Sequence, residues 1–172
     1  MSELRTFVNY GSKDHPAPIV ESYAMNAIDM PPLLYKSNLP EKILKSGDLS
    51  DLQVEAINYA GQRHCQPVDC EVPAYIYAEE PALGSSVKCR GGFFLGDGTG
   101  VGKGRTIAGI IEDNRRQGVK RAIWFSVSKD LIEDARRDIE GVGANIKTVR
   151  LNDYNIDEKI DLKEGIIFCT YN

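Results

Sequence analysis

The stretch FFLGDGTGVGKGRTIAGII, residues 93–111, decides the fold. The apolar run GGFFL at 91–95 has the character of a buried strand, and KGRTIAGIIEDNRRQ at 103–117 has that of a helix. Between them Gly98, Gly100 and Gly102 alternate, and Lys103 follows at once. Glycines let a backbone turn sharply and aim successive amides inward, while the following helix N-terminus adds the positive end of its dipole. Such a turn holds phosphate. A plain strand-to-helix turn has no use for three glycines and a lysine.

Two glycine fingerprints compete for this loop. The dinucleotide pattern G-x-G-x-x-G fails in every register, ending on Val101, Lys103 or Arg105. The strict P-loop pattern G-x-x-x-x-G-K-[ST] is met at Gly102 and Lys103, with Asp97 in place of its first glycine and Gly104 in place of the hydroxyl. Thr106 is a poor substitute, because two residues turn about 200° around a helix.

Downstream, RAIWFSV (121–127), KDLIEDARRDIEG (129–141), NIKTVRL (145–151) and GIIFCTY (165–171) continue an alternation of strand and helix. That order predicts an α/β domain, a parallel sheet with helices on both faces. Ile107, Ile110 and Ile111 form the expected apolar face of the first helix, and Leu131, Ile132, Ala135 and Ile139 that of the second. Upstream, residues 1–33 hold four of the eight prolines (Pro16, Pro18, Pro31 and Pro32) together with His15, and an irregular arm is expected there. YKSNLPEKILKSG (35–47) and LSDLQVEAINYAGQRH (49–64) predict two helices, the second capped by Ser50. Residues 66–90, rich in proline and serine around AYIYA (74–78), predict an inserted loop with one edge strand. The domain proper is then 34–172, and its end directly after an apparent core strand suggests a fragment.

The 172 residues carry a net charge of −4, with 42% hydrophobic and 27% charged side chains, which suits one globular domain and disfavours a bulk electrostatic grip on nucleic acid. No apolar run approaches the ~18 residues of a membrane span, and the N-terminus lacks an apolar signal core. An intracellular protein is expected. The cysteines Cys65, Cys70, Cys89 and Cys169 are too few for a disulfide scaffold. His64, Cys65, Cys70 and Cys89 contain no C-x-x-C pair, so a zinc site is disfavoured.

GDGTGVGKGRTIAGII and RAIWFSVSKDLIEDARRDI, with PPLLYKSNLPEKILKSGDLSDLQVEAINYAGQRH upstream, resemble the strawberry notch family, a branch of superfamily-2 helicase-like ATPases related to Swi/Snf-type remodellers. The similarity runs over roughly residues 19–172, includes the GVGKGRT departure, and matches a motif I of the form D-x-x-G-x-G-K at Asp97, Gly100, Gly102 and Lys103. The insert at 66–90 looks longer than is usual in the family. The resemblance implies a RecA-like P-loop NTPase domain that binds ATP or ADP on Asp97, Gly98, Thr99, Gly100, Val101, Gly102, Lys103, Gly104 and Arg105, with Lys103 as the catalytic candidate. It places Gln53 where such proteins read adenine, and makes Tyr35 a candidate to pack on the base. Mg2+ is implied as well, held by something other than a P-loop hydroxyl. Ser126, Ser128, Thr170 and Tyr171 resemble strand-end motifs that face nucleic acid, although an N-cap role explains Ser128 equally well. The basic run Arg115, Arg116, Lys120 and Arg121 is expected to be a solvated helix end.

Hydrolysis in this class requires an acidic D-E-x-H motif and an arginine finger from a second RecA-like half. No D-E-x-H string occurs in the sequence, so binding without efficient turnover is expected, and the missing C-terminal half becomes the implied partner. A non-catalytic nucleotide-binding or protein-interaction module is the alternative. The location expected from the resemblance is cytoplasmic for a bacterial or phage version and nuclear for a eukaryotic one.

Overall fold

A computed structural model of the chain describes residues 10–16, 19, 27–71 and 86–171. Helices α1 (Glu41–Ser46) and α2 (Asp51–His64) come first, followed by strands β1 (Pro67–Glu71) and β2 (Ser86–Arg90). Helix α3 (Lys103–Arg116) then leads to β3 (Arg121–Ser126). A 3-10 turn at Lys129–Leu131 opens α4 (Ile132–Gly141), and β4 (Thr148–Arg150) and β5 (Gly165–Thr170) complete the order. Strands β3, β5 and β4 form one parallel sheet in that spatial order, with Ala122 opposite Ile166 and Val149 opposite Ile167. The alternation of strand and helix in the sequence therefore has its expected outcome, an α/β fold with a parallel sheet.

Helix α2 starts where the sequence places it. The Ser50 hydroxyl accepts from the Gln53 amide, and the Gln53 side chain accepts from the Ser50 amide at 2.9 Å, a reciprocal capping box. Helices α2 and α3 pack with almost no space between them: a Cβ on Gly109 would lie 2.3 Å from Cδ1 of Ile57. The core joins Leu49, Ile57 and Ile166, all fully buried, with Ile139 and Val142 of the α4 region.

Three expectations change. GGFFL is not a strand: residues 91–98 make no ladder, and Phe94 is 89% exposed. A strand exists only through pairing, and none of the described residues pairs with this segment. The inserted loop is a hairpin, with β1 and β2 antiparallel and Val68 opposite Cys89, while AYIYA lies outside the described residues. The buried face of α3 is also more polar than its isoleucines suggested, since Thr106, Gly109, Glu112 and Asp113 are buried and Ile107 is 36% exposed.

Those buried acids are satisfied. Glu112, 1% exposed, accepts from Arg115 Nε at 2.7 Å and from Arg116 Nε at 2.8 Å. Asp113 accepts from the Asn38 amide at 2.6 Å and from the Tyr35 hydroxyl at 2.8 Å, tying α3 to the segment before α1. The arm is held too. The Asp51 carboxylate accepts from the amides of Tyr10 and Ser12, the Asp51 amide donates to Lys13 O at 3.0 Å, and Lys13 bridges to Ser50 in parallel.

Candidate functional site

Lys103 is the first residue of α3, and Gly102 before it is in the left-handed region at φ 78°, as is Gly100 at 82°. Glycine takes such a conformation without strain, so Gly100 and Gly102 are a backbone requirement of this loop. A Cβ on Gly98 or Gly100 would meet nothing within 4 Å; that side of the loop is open. The Lys103 ammonium donates to Asp97 O at 3.1 Å and to Gly98 O, so the loop's own carbonyls hold the charge over the turn.

Gln53 reaches the same loop. Its Nε2 donates to Gly102 O at 3.0 Å while its Oε1 accepts from the Ser50 amide. One carboxamide therefore links the cap of α2 to the start of α3; its Oε1 also accepts from the Ser50 hydroxyl at 3.4 Å, and its Nε2 keeps one further donor. A cavity of about 400 Å3 opens beside this link, lined by Gly100, Val101, Gly102, Gln53, Ser50, Gly47 and Asp48 and by Lys13, Asp14, His15 and Pro16 of the arm. No local signal marks the last four, because their approach depends on the arm docking onto Asp51.

The glycine after the lysine has a steric cause. A Cβ on Gly104 would stand 2.2 Å from Oδ2 of Asp138 in α4, and the Asp138 carboxylate is fixed by Arg105 Nε at 3.3 Å, with both side chains largely buried. A hydroxyl residue at 104 would collide with this pair. Gly104→Thr, the change that restores the usual P-loop letter, is expected to cost about 1–3 kcal/mol of stability through overpacking. Urea unfolding of Gly104→Thr with and without Asp138→Ala checks this, and part of the loss should return in the double variant.

The residues present do not fit a magnesium ion on their own. Gly104 lacks a donor, the Thr106 hydroxyl points to Gly102 O at 3.4 Å, and among the described residues no group of three or more His, Cys, Asp or Glu is placed to hold a metal.

With the loop, the lysine and the glutamine in one place, likeness to other proteins can be judged. The profile of the family described as P-loop containing NTP hydrolase pore-1 matches residues 14–172.

The chain belongs to that family.

As a P-loop NTP hydrolase pore-1 member it is similar to the FORGETTER 1 protein of Arabidopsis thaliana, 42% identical over 92% of this chain and 11% of the plant protein. Strawberry notch homolog 1 of Gallus gallus is 43% identical over 92% of this chain and 12% of its own length. Strawberry notch of Drosophila melanogaster is 42% identical over 93% and 9%. The resemblance to the strawberry notch family thus holds across nearly the whole sequence, and the chain spans about a tenth of the length of these relatives. No solved structure matches.

The structure does not bring Tyr35 to the loop. Its ring lies against Gly61, two turns along α2 from Gln53, where a Cβ would meet it at 2.2 Å. Its hydroxyl is held by Asp113 and Gln117. Burial and the Asp113 carboxylate push that phenol well above its ordinary range, so it stays neutral. Thr170 lines a second cavity, about 440 Å3, with Lys129, Asp130 and Arg150 at the carboxyl ends of the strands. Tyr171 stacks on Phe125 at 5.8 Å, and the Ser128 hydroxyl accepts from the Asp130 amide at 3.4 Å, a cap. Of the basic run, Arg115 and Arg116 are paired with Glu112, and Arg115 also with Glu164 at 2.9 Å. The considered zinc set is dispersed: the His64 ring meets Asn114, Cys65 Sγ meets Gln117, and the Cys89 thiol, raised above its usual range, faces Cys70. Among the described residues no helix is long and apolar enough to cross a membrane.

Proposed function

We propose that this chain binds ATP and ADP at the Gly98–Lys103 loop and belongs to the first RecA-like half of an ATP-driven, helicase-like motor. The supporting observation is that the left-handed glycines leading into Lys103 and the Gln53 side chain bonded to Gly102 O line one open cavity. In this reading the loop amides and Lys103 hold the phosphates, and the α3 N-terminus adds its dipole. Lys103 exchanges two carbonyl partners for phosphate oxygens, and Arg105, fixed by Asp138, keeps the loop's helix seated on α4. The sequence holds no D-E-x-H motif to orient water, so this chain alone is expected to bind nucleotide without efficient turnover.

Titration calorimetry with ATP and ADP, with magnesium and with EDTA, tests the reading. Micromolar binding is expected, and since no protein hydroxyl follows Lys103, chelation should weaken it by less than about tenfold. Abolition of binding by EDTA would refute the second statement, and absence of binding to folded protein the first.

The partner we propose is polypeptide following this region in the longer relatives. Ile123, Phe125, Val127 and Tyr171 are 61, 55, 77 and 74% exposed, an apolar group on and around one face of β3. Such a patch on an edge strand fits coverage by more chain. The strand-end cavity with Lys129, Arg150 and Thr170 suits phosphate oxygens of a nucleic acid in the whole protein.

A further inference from the structure

We propose that the arm segment Lys13–Pro16 forms the nucleoside-binding wall of the nucleotide site, with His15 in contact with the base. The proposal rests on the nucleotide-binding reading above and names the residues that recognise the half of the ligand the glycine loop does not.

The segment and the loop share one cavity. Lys13, Asp14 and His15 line it together with Gln53, Gly100 and Gly102, in a volume of about 400 Å3. That is within the range of small-molecule sites. A nucleotide whose phosphates sit on the Gly98–Lys103 turn has this space into which to extend its sugar and base.

The wall is anchored. Asp51 fixes the arm at Tyr10, Ser12 and Lys13 through two accepted bonds and one donated bond, the Ser12 hydroxyl donates to Leu49 O, and Lys13 bridges to Ser50. These contacts fall on the residues that begin α2, so the arm and Gln53 are registered against one another. A preorganised wall avoids part of the ordering cost of binding.

The chemistry suits a nucleoside. Tyr35 is two turns away, and Gln53 already bonds the loop and its own cap, so a base needs another surface. His15 is half-buried, and an imidazole both stacks and hydrogen-bonds. Asp14 is exposed beside it, and a carboxylate accepts from sugar hydroxyls.

The test compares ATP with inorganic tripolyphosphate, which carries the phosphates without the nucleoside. Hydrogen exchange of the wild-type chain should show residues 10–15 protected by ATP and unaffected by tripolyphosphate. His15→Ala should weaken ATP about tenfold, the scale of one base-stacking contact, and leave tripolyphosphate unchanged. His15→Phe, which keeps a stacking ring, should retain most of the ATP affinity and serves as the second variant if the alanine form fails to fold. Equal protection of 10–15 by both ligands, or unchanged ATP affinity in folded His15→Ala, would overturn the proposal. If Lys103→Ala still abolished binding of both ligands, the nucleotide reading would stand without it. Failure of folded wild type to bind either ligand would overturn both.

Discussion

Lys103→Ala is expected to lower ATP affinity by about a hundredfold, roughly 3 kcal/mol, while the protein stays folded. The ammonium makes two loop contacts, to Asp97 O and Gly98 O, and among the described residues no buried carboxylate pairs with it. Its removal therefore costs little in the empty protein. With nucleotide bound, the loss is that of charge-assisted bonds to phosphate, each worth about 1.5–3 kcal/mol. Affinity should fall for ATP and ADP alike, and a calorimetric titration beside a thermal melt separates lost binding from lost folding. Affinity within threefold of wild type in a folded variant would favour an interaction module that keeps the loop for its shape.

The largest stability effect is expected at Glu112. Both of its oxygens are occupied, by Arg115 at 2.7 and 3.0 Å and by Arg116 at 2.8 Å, and the side chain is 1% exposed. Removing Glu112 loses three charge-assisted hydrogen bonds but leaves Arg115 and Arg116, 30 and 38% exposed, open to water, at a cost of about 2–3 kcal/mol. Glu112→Ala should lose that much in urea unfolding. Glu164→Ala should lose far less, because Glu164 is 44% exposed and, among the described residues, pairs with Arg115. Similar losses in the two variants would mean that Glu112 is not the centre of the network.

Local signals carried much of this architecture. GIIFCT is a strand because a near-continuous apolar run suits the middle of a parallel sheet, and Ser50 caps α2 because a hydroxyl stands where the first free amides need one. GGFFL misled, since the same apolar character is seen in a segment with no described neighbour to pair with. The glycine loop was legible from its spacing, and its tie to Gln53 was not, because a bond between residues 49 positions apart leaves no local pattern. Nor did spacing reveal that Asp138, 34 positions along, excludes a side chain at Gly104, or that the arm folds back onto Asp51. Contacts made by distant chain segments leave no periodicity behind.

The close passage of Gly109 over Ile57, and of Gly61 under Tyr35, has a mechanical consequence. Helices that mesh at backbone distance, pinned by Gln53 at one end and at the other through Tyr35, which packs on Gly61 of α2 and donates to Asp113 of α3, cannot slide or tilt without breaking several contacts together. They act as one stiff lever. Any motion that a nucleotide drives through this region must therefore pivot outside α2 and α3, at the glycine turn or where α4 meets them.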